Sequence, residues 1–354
     1  MPQKDMPVLP ADSFAGKYRL VTEPERDVEL TCALEVTLTP PDARGWYVVI
    51  PEGLSTLAQR KTTTRITVEG FSERFRKIPE RSALQRPLFA AEIPADTAAL
   101  QEALSVRVIY GTTLFSRFLV PGNPSVPPPL SSAERALYTS PTRACNFNAR
   151  SVQAWIEAQG LIRRGKEGVL PFAFRAYQAV QAFLTYELPK REPDFFYCSR
   201  TIRHRQSDCG GSNLLLSAIL RYNRIPMRVY CGRWSYAGNP KTTGTAHVKG
   251  EFWVDALGWV PVDATAPERG KKREAAMHFG FDAGRFFALM EESDPIIPQP
   301  GYKDFQPTWL HHRILPYRAG RQGTWEGCHL TDSWTTRNVR LIGTTWRATR
   351  AFRD

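Results

Sequence analysis

Cysteine is scarce in this chain of 354 residues: there are six, at positions 32, 145, 198, 209, 231 and 328, with no C-x-x-C pair. That excludes a small disulfide scaffold and offers no structural zinc spacing. Long apolar runs are missing too. Those present are short pieces such as Leu214 to Leu216, far below the roughly 18 consecutive apolar residues of a membrane span. The opening stretch MPQKDMPVLPADSFAGKYRL holds no apolar h-region and no small-residue cleavage site, so no secretory signal is read there. No run of spaced acids of the EF-hand type supports a calcium requirement, and no internal repeat is present. The expectation is a soluble, cytoplasmic protein with reduced thiols, no membrane span and no cofactor or metal.

What is present is ordinary globular material, 42% hydrophobic and 23% charged, which excludes wholesale disorder, collagen and coiled coil. Lys and Arg number 47 against 35 Asp and Glu, so the formal charge is 47 − 35 = +12. Such a surplus can serve nucleic acid, an anionic membrane or an acidic polymer. Here it is spread along the chain, with Arg269 to Arg273 the one dense run. Arg200, Arg203 and Arg205 follow Phe195, Phe196 and Tyr197, an interleaving that can line a single-strand groove. No recognised nucleic-acid motif accompanies it, so nucleic acid is not the expected partner.

Residues 16–121 read as strands: Tyr18 to Val21, Val28 to Leu38, Trp46 to Ile50, Thr63 to Val68, Leu88 to Ile93 and Leu104 to Tyr110. β-Branched and aromatic residues fill these runs, and Pro, Gly and Asp punctuate them at the intervals of an antiparallel sandwich. A proline-rich linker, residues 122–130, follows in PGNPSVPPPL, since proline suits neither a helix interior nor a central strand. The period then changes from two to 3.6. Ser131 and Glu134 have capping-box spacing before a helix through Tyr138, and a second helix runs from about Ser151 to Gly160. Ala173, Ala176, Tyr177, Val180, Phe183 and Leu184 form the apolar stripe of a third, reaching about Tyr186. A fourth, amphipathic, starts at Cys209 and runs to Arg221 before Pro226. Strands close the block at Met227 to Cys231, His247 to Val254 and Trp259 to Val262. Helices first and strands after predict an α+β domain over residues 131–292. Residues 293–354 are a C-terminal extension in which only Val339 to Trp346 reads as a strand.

Chemistry concentrates at Ser207-Asp208-Cys209-Gly210-Gly211-Ser212-Asn213. Asp208 is an N-cap type, which puts Cys209 in the first helical turn, where unpaired N–H groups and the helix dipole favour a thiolate. A thiolate nucleophile needs a base, and the base needs an orienting partner. His247 opens the strand AHVKGEFWV and Asp263 closes GWVPVD. In an antiparallel hairpin, facing residues have a constant sum. A turn centred on Asp255 gives 510, so His247 faces Asp263, whereas a turn centred between Ala256 and Leu257 slips the pair by three positions. Cys32 and Cys231 lie in strand runs, and Cys145, Cys198 and Cys328 in irregular stretches. Cys209, His247 and Asp263 are also ligand types suited to zinc, although a thiol at a helix start serves nucleophilic catalysis better.

The stretch SDCGGSNLLLSAILRYNRIPMRVYCG, with AHVKGEFWVDALGWVPVDAT after it, resembles the core of the transglutaminase-like superfamily, which is papain-like in fold. The matching positions run from Asp208 and Cys209 through Arg221, Ile225, Pro226, Arg228 and Gly232. They continue with His247, Glu251, Gly258, Trp259, Pro261, Val262 and Asp263. The segment HFGFDAGRFFALMEES, from His278, is similar to one that follows the triad in many bacterial members. Ser207 stands where the family usually has Gly, and Lys249 where a Trp often follows the histidine by two. The resemblance implies a cysteine peptidase, amidase or acyltransferase with the catalytic triad Cys209, His247 and Asp263. Its substrate would be an amide of a peptide or protein, passing through a thioester released to water or to an amine. The alternative is a transglutaminase-like scaffold without catalysis that binds another protein.

Overall fold

The computed structural model describes residues 14, 16–36, 45–68, 74–94, 104–187, 194–234, 246–267, 278–299, 303–310, 313–317 and 341–351. Cys328, the Arg269 to Arg273 run and the end of the expected strand at Leu38 lie outside them. In chain order the strand-rich part holds β1 (Tyr18–Val36), β2 (Gly45–Pro51), β3 (Gln59–Val68), β4 (Arg76–Pro79), β5 (Pro87–Pro94) and β6 (Leu104–Pro121). The helices follow: α1 (Ser132–Thr139), α2 (Arg150–Ala158) and α3 (Val169–Phe183), then β7 (Thr185–Tyr186), α4 (Cys198–His204), β8 (Gln206–Ser207) and α5 (Cys209–Tyr222). The remaining strands are β9 (Met227–Trp234), β10 (Ala246–Val254), β11 (Gly258–Val262), β12 (Phe281–Asp282), β13 (Phe286–Glu291), β14 (Arg313–Tyr317) and β15 (Leu341–Ala351).

Two compact units emerge, each assembled from three separate stretches of sequence. One takes the described residues of Met1–Pro24, Phe115–Tyr230 and His247–Gly284; the other takes those of Glu25–Leu114, Cys231–Ala246 and Arg285–Asp354. Composition suggests successive segments instead, with a boundary in the prolines. The difference arises because the long strand β6 begins in one unit and ends in the other, so the chain divides inside a strand rather than in the proline stretch.

The strand-rich unit is built on antiparallel pairing. β2 pairs with β5 along its whole length, and β14 adds to its other side through Arg313↔Val49 to Tyr317↔Gly45. β3 pairs with β6, and β1 with β15. β2 is buried on both faces, and for this reason its sequence GWYVVIP shows no polar alternation. Trp46, Val48 and Ile50 pack with Val106, Val108 and Tyr110 of β6, while Tyr47 and Val49 pack with Ile297 and Leu310. The extension beyond residue 292, unplaced by sequence, thus supplies core side chains and an edge strand.

In the helical unit α5 is the central element, buried at every residue from Cys209 to Arg221 rather than along one stripe. It packs against α1, α3 and α4. The capping box expected at Ser131 and Glu134 is formed in both directions. α3 ends at Phe183, three residues before the expected limit, because Leu184 is already extended. α4, absent from the sequence reading, is a seven-residue helix; it starts at Cys198, which is therefore not in an irregular stretch. β9, β10 and β11 are neighbours in one sheet, with β10 and β11 antiparallel, and Asn213 of α5 donates to the Val248 carbonyl of β10. No helix among the described residues is long and apolar enough to cross a membrane.

Candidate active site

The Cys209 position follows from the cap. Asp208 is extended, and its carboxylate accepts the Gly211 N–H at 3.0 Å, which sets Cys209 as the first residue of α5, only 9% exposed. Gly211 is required by close approach: a Cβ there would lie 2.1 Å from Ser207 Oγ. The conformational freedom that the Gly pair offers is not what this position uses.

His247 projects from β10 and Asp263 follows β11 directly. The hairpin register is Gly250↔Val262 through Val254↔Gly258, a sum of 512. This corrects the expected 510. The three-residue turn Asp255 to Leu257, closed by Gly258 at φ +83°, centres the hairpin on Ala256. The slip is two residues, which preserves the face on which each side chain points, whereas one or three would have inverted it. His247 and Asp263 become diagonal neighbours, a spacing that long side chains cross. His247 Nε2 lies 3.0 Å from Asp263 Oδ2, with both residues buried. The segment expected after the triad anchors this end of the strand: Val262 bridges Phe279, and the Asp263 N–H donates to the His278 carbonyl at 2.8 Å.

Several residues outside the sequence-derived set surround Asp263. Its Oδ1 accepts the Thr265 N–H at 3.0 Å and the Thr265 hydroxyl, and Asn213 Nδ2 stands 3.5 Å away. His278 Nδ1 lies 3.9 Å from Oδ2. Gln181 of α3 donates to the carbonyls of Ala264 and Thr265, and Ser212 Oγ accepts the Ala266 N–H. Two signals were present in the sequence. D-A-T is a short Asx-type turn, and Asn213 is a polar residue one helical turn beyond Cys209 at the edge of a leucine run.

Beyond the histidine, Lys249 Nζ bonds Asp282 Oδ2 and is largely buried, so its ammonium is neutralised where it stands. Glu251 accepts from Arg117 Nη1, from Arg228 Nε and Nη2 at 2.9 and 2.7 Å, and from Tyr230 at 3.3 Å. Burial pushes its carboxyl up, but the guanidinium of Arg117, then that of Arg228, outweighs this and holds it below the usual carboxylate range. Arg228 also lies over the Trp259 ring at 4.2 Å, and Arg221 donates to the Met227 and Ser140 carbonyls.

The aromatic and basic run after Asp194 does not form an open groove. Phe195, Phe196 and Arg200 are buried, with Arg200 stacked 4.5 Å over Phe195. Among the described residues no group of three or more His, Cys, Asp or Glu side chains could hold a metal ion. Cys145, Cys198, Cys209 and Cys231 are buried and not disulfide-bonded.

Residues 157–264, a stretch containing Cys209, His247 and Asp263, match the family model of the Transglutaminase-like superfamily. No curated protein matches the chain. Among solved structures, a proposed cysteine protease from Cytophaga hutchinsonii shares the fold at a TM-score of 0.53 and 11% identity, over 93% of this chain and 100% of that one. The periplasmic domain of TgpA from Pseudomonas aeruginosa aligns at 14% identity over 68% of this chain and 90% of that one, with a TM-score of 0.35. The stretch 157–264, which holds α5 and the β10–β11 hairpin, is thus similar in sequence to the transglutaminase-like superfamily.

Proposed function

We propose that the protein is a cysteine enzyme that hydrolyses amide bonds of peptides or proteins through Cys209, His247 and Asp263. The observation that carries this is the buried His247–Asp263 pair at 3.0 Å, joined through Asn213 to the helix that Cys209 begins. The positive end of α5 favours negative charge on the Cys209 sulfur. The thiolate attacks the carbonyl carbon, the C–N bond breaks, and the amine leaves with a proton from His247. A thioester remains. Water gives a proton to His247 as it attacks the thioester, releasing the carboxylic acid and the thiolate. With Nε2 directed at Asp263, Nδ1 is the ring nitrogen that exchanges the proton, and Asp263 stabilises the imidazolium. The Cys209 N–H at the helix start is one donor for the oxyanion. An amine in place of water would give acyl transfer at the same site. A reduced thiol is needed throughout, which suits a reducing compartment such as the cytoplasm.

The test is the pH-rate profile of iodoacetamide alkylation, followed residue by residue, with Cys209→Ser and His247→Ala as controls. Cys209 is expected to react at least tenfold faster at neutral pH than a free small-molecule thiol and than Cys145, Cys198 or Cys231, and amidase activity on a peptide library should vanish in both variants. A Cys209 no more reactive than the others would leave a non-catalytic scaffold as the better reading.

A further inference from the structure

We infer that Asn213 is the positioning residue of the site, a single side chain that fixes the Cys209 helix, the His247 strand and the Asp263 turn in one register. The inference rests on the proposed triad. Asn213 is fully buried on α5, one turn beyond Cys209. Its Nδ2 lies 2.9 Å from the Cys209 carbonyl, 2.9 Å from the Val248 carbonyl and 3.5 Å from Asp263 Oδ1. Its Oδ1 accepts the Ala264 N–H at 3.0 Å. The amide thus touches the backbone of Cys209 itself, of the residue after His247 and of the residue after Asp263, three elements that no local sequence relation holds together.

The chemistry of the position is demanding. It needs two donors and one acceptor held in a plane, an inventory that only Asn and Gln carry, and Gln is a methylene longer in a fully packed place. Neighbouring bonds differ in kind. Ser212 Oγ, on the same turn, reaches only the Ala266 N–H and the Asp208 carbonyl; it holds the helix start to the loop beyond the site without touching Asp263 or the His247 strand. Losing Ser212 Oγ should therefore cost stability alone, whereas losing the Asn213 amide should release the Val248 and Ala264 backbones that hold His247 and Asp263 in register.

Imidazole 15N spectra of the full chain, with His247 assigned by substitution, read this orientation directly. In the wild type the neutral ring is expected predominantly as the Nε2–H tautomer, and Asp263→Asn should abolish that preference. Asn213→Ala should lose most of it and reduce Ala264 amide protection from hydrogen exchange at least tenfold. Ser212→Ala should lower the urea midpoint and leave the tautomer as in the wild type. Should Asn213→Ala fail to fold, Asn213→Asp decides: it is isosteric, keeps the acceptor for Ala264 and loses both donors, so Ala264 protection should persist while the tautomer preference disappears. A wild-type tautomer in either Asn213 variant, or an equal loss in Ser212→Ala, overturns the inference. Failure of the enzymatic reading looks different: wild-type Cys209 alkylates slowly while the tautomer still responds to Asn213.

Discussion

Two buried carboxylates on one hairpin have opposite surroundings. Glu251, within β10, is held by the guanidinium groups of Arg117 and Arg228, which come from β6 and β9. Asp263, directly after β11, meets an imidazole, a hydroxyl, an amide side chain and one backbone N–H. Guanidinium does not lose its proton in a protein, so the charge balance at Glu251 is permanent and the cluster acts as a clamp between strands. The partners of Asp263 are neutral or can change charge by one proton. Its electrostatic balance can therefore alter during a reaction. Of two equally buried acids, chemistry is possible at the one whose counter-charge can come and go.

The comparison can be broken most severely at Asp263. Asp263→Asn should lower amide hydrolysis about ten-thousand-fold by removing the group that fixes the imidazole tautomer, with a much smaller change in urea midpoint; an activity within tenfold of the wild type would remove Asp263 from the mechanism. Glu251→Gln should do the reverse. It removes the carboxylate shared by the buried Arg117 and the partly buried Arg228 guanidinium groups, and we expect a loss of about 3–5 kcal/mol in unfolding free energy, with alkylation of Cys209 nearly unchanged in the fraction that stays folded.

A pH series sharpens the same contrast. Because the Glu251 carboxyl is lowered in the folded state from its ordinary 4.5, its ionised form contributes stability that is fully present above about that pH. The contribution is lost as pH falls through the lower folded value. Urea midpoints measured downward from pH 5 should fall less steeply in Glu251→Gln than in the wild type. The smallest effect is expected at Thr265→Val, which removes one hydroxyl donor from Asp263 Oδ1 while keeping the backbone N–H. A stability loss of about 1 kcal/mol and a several-fold fall in hydrolysis would show that the carboxylate retains its orientation through the remaining partners.

Local features were readable where a few adjacent residues decide the outcome. Asp208 capping α5, the Ser131–Glu134 box and the strands around His247 and Asp263 all stand where spacing put them. The hairpin register was misjudged by two positions because turn length depends on which residue adopts positive φ, and Gly258 does so after a three-residue turn. Helix α4 leaves no period to read in the sequence because it is only seven residues long and two of its three buried residues, Arg200 and Thr201, are polar. Beyond 292 the strand read at Val339 to Trp346 overlaps β15, which pairs with β1, whereas β14, Ile297 and Leu310 had no local signal because they cover β2, more than 200 positions away.

By itself, the sequence determined which residue types could carry the reaction and which of them begin a helix or end a strand, since caps, turns and periodicity act over a few residues. Only the tertiary structure decided that the Asp263 carboxylate reaches His247 across a diagonal of the sheet, and that Asn213 joins both strands to the helix of Cys209. Those contacts depend on side chains from separate elements meeting in a close-packed interior, where one residue of register decides which groups meet.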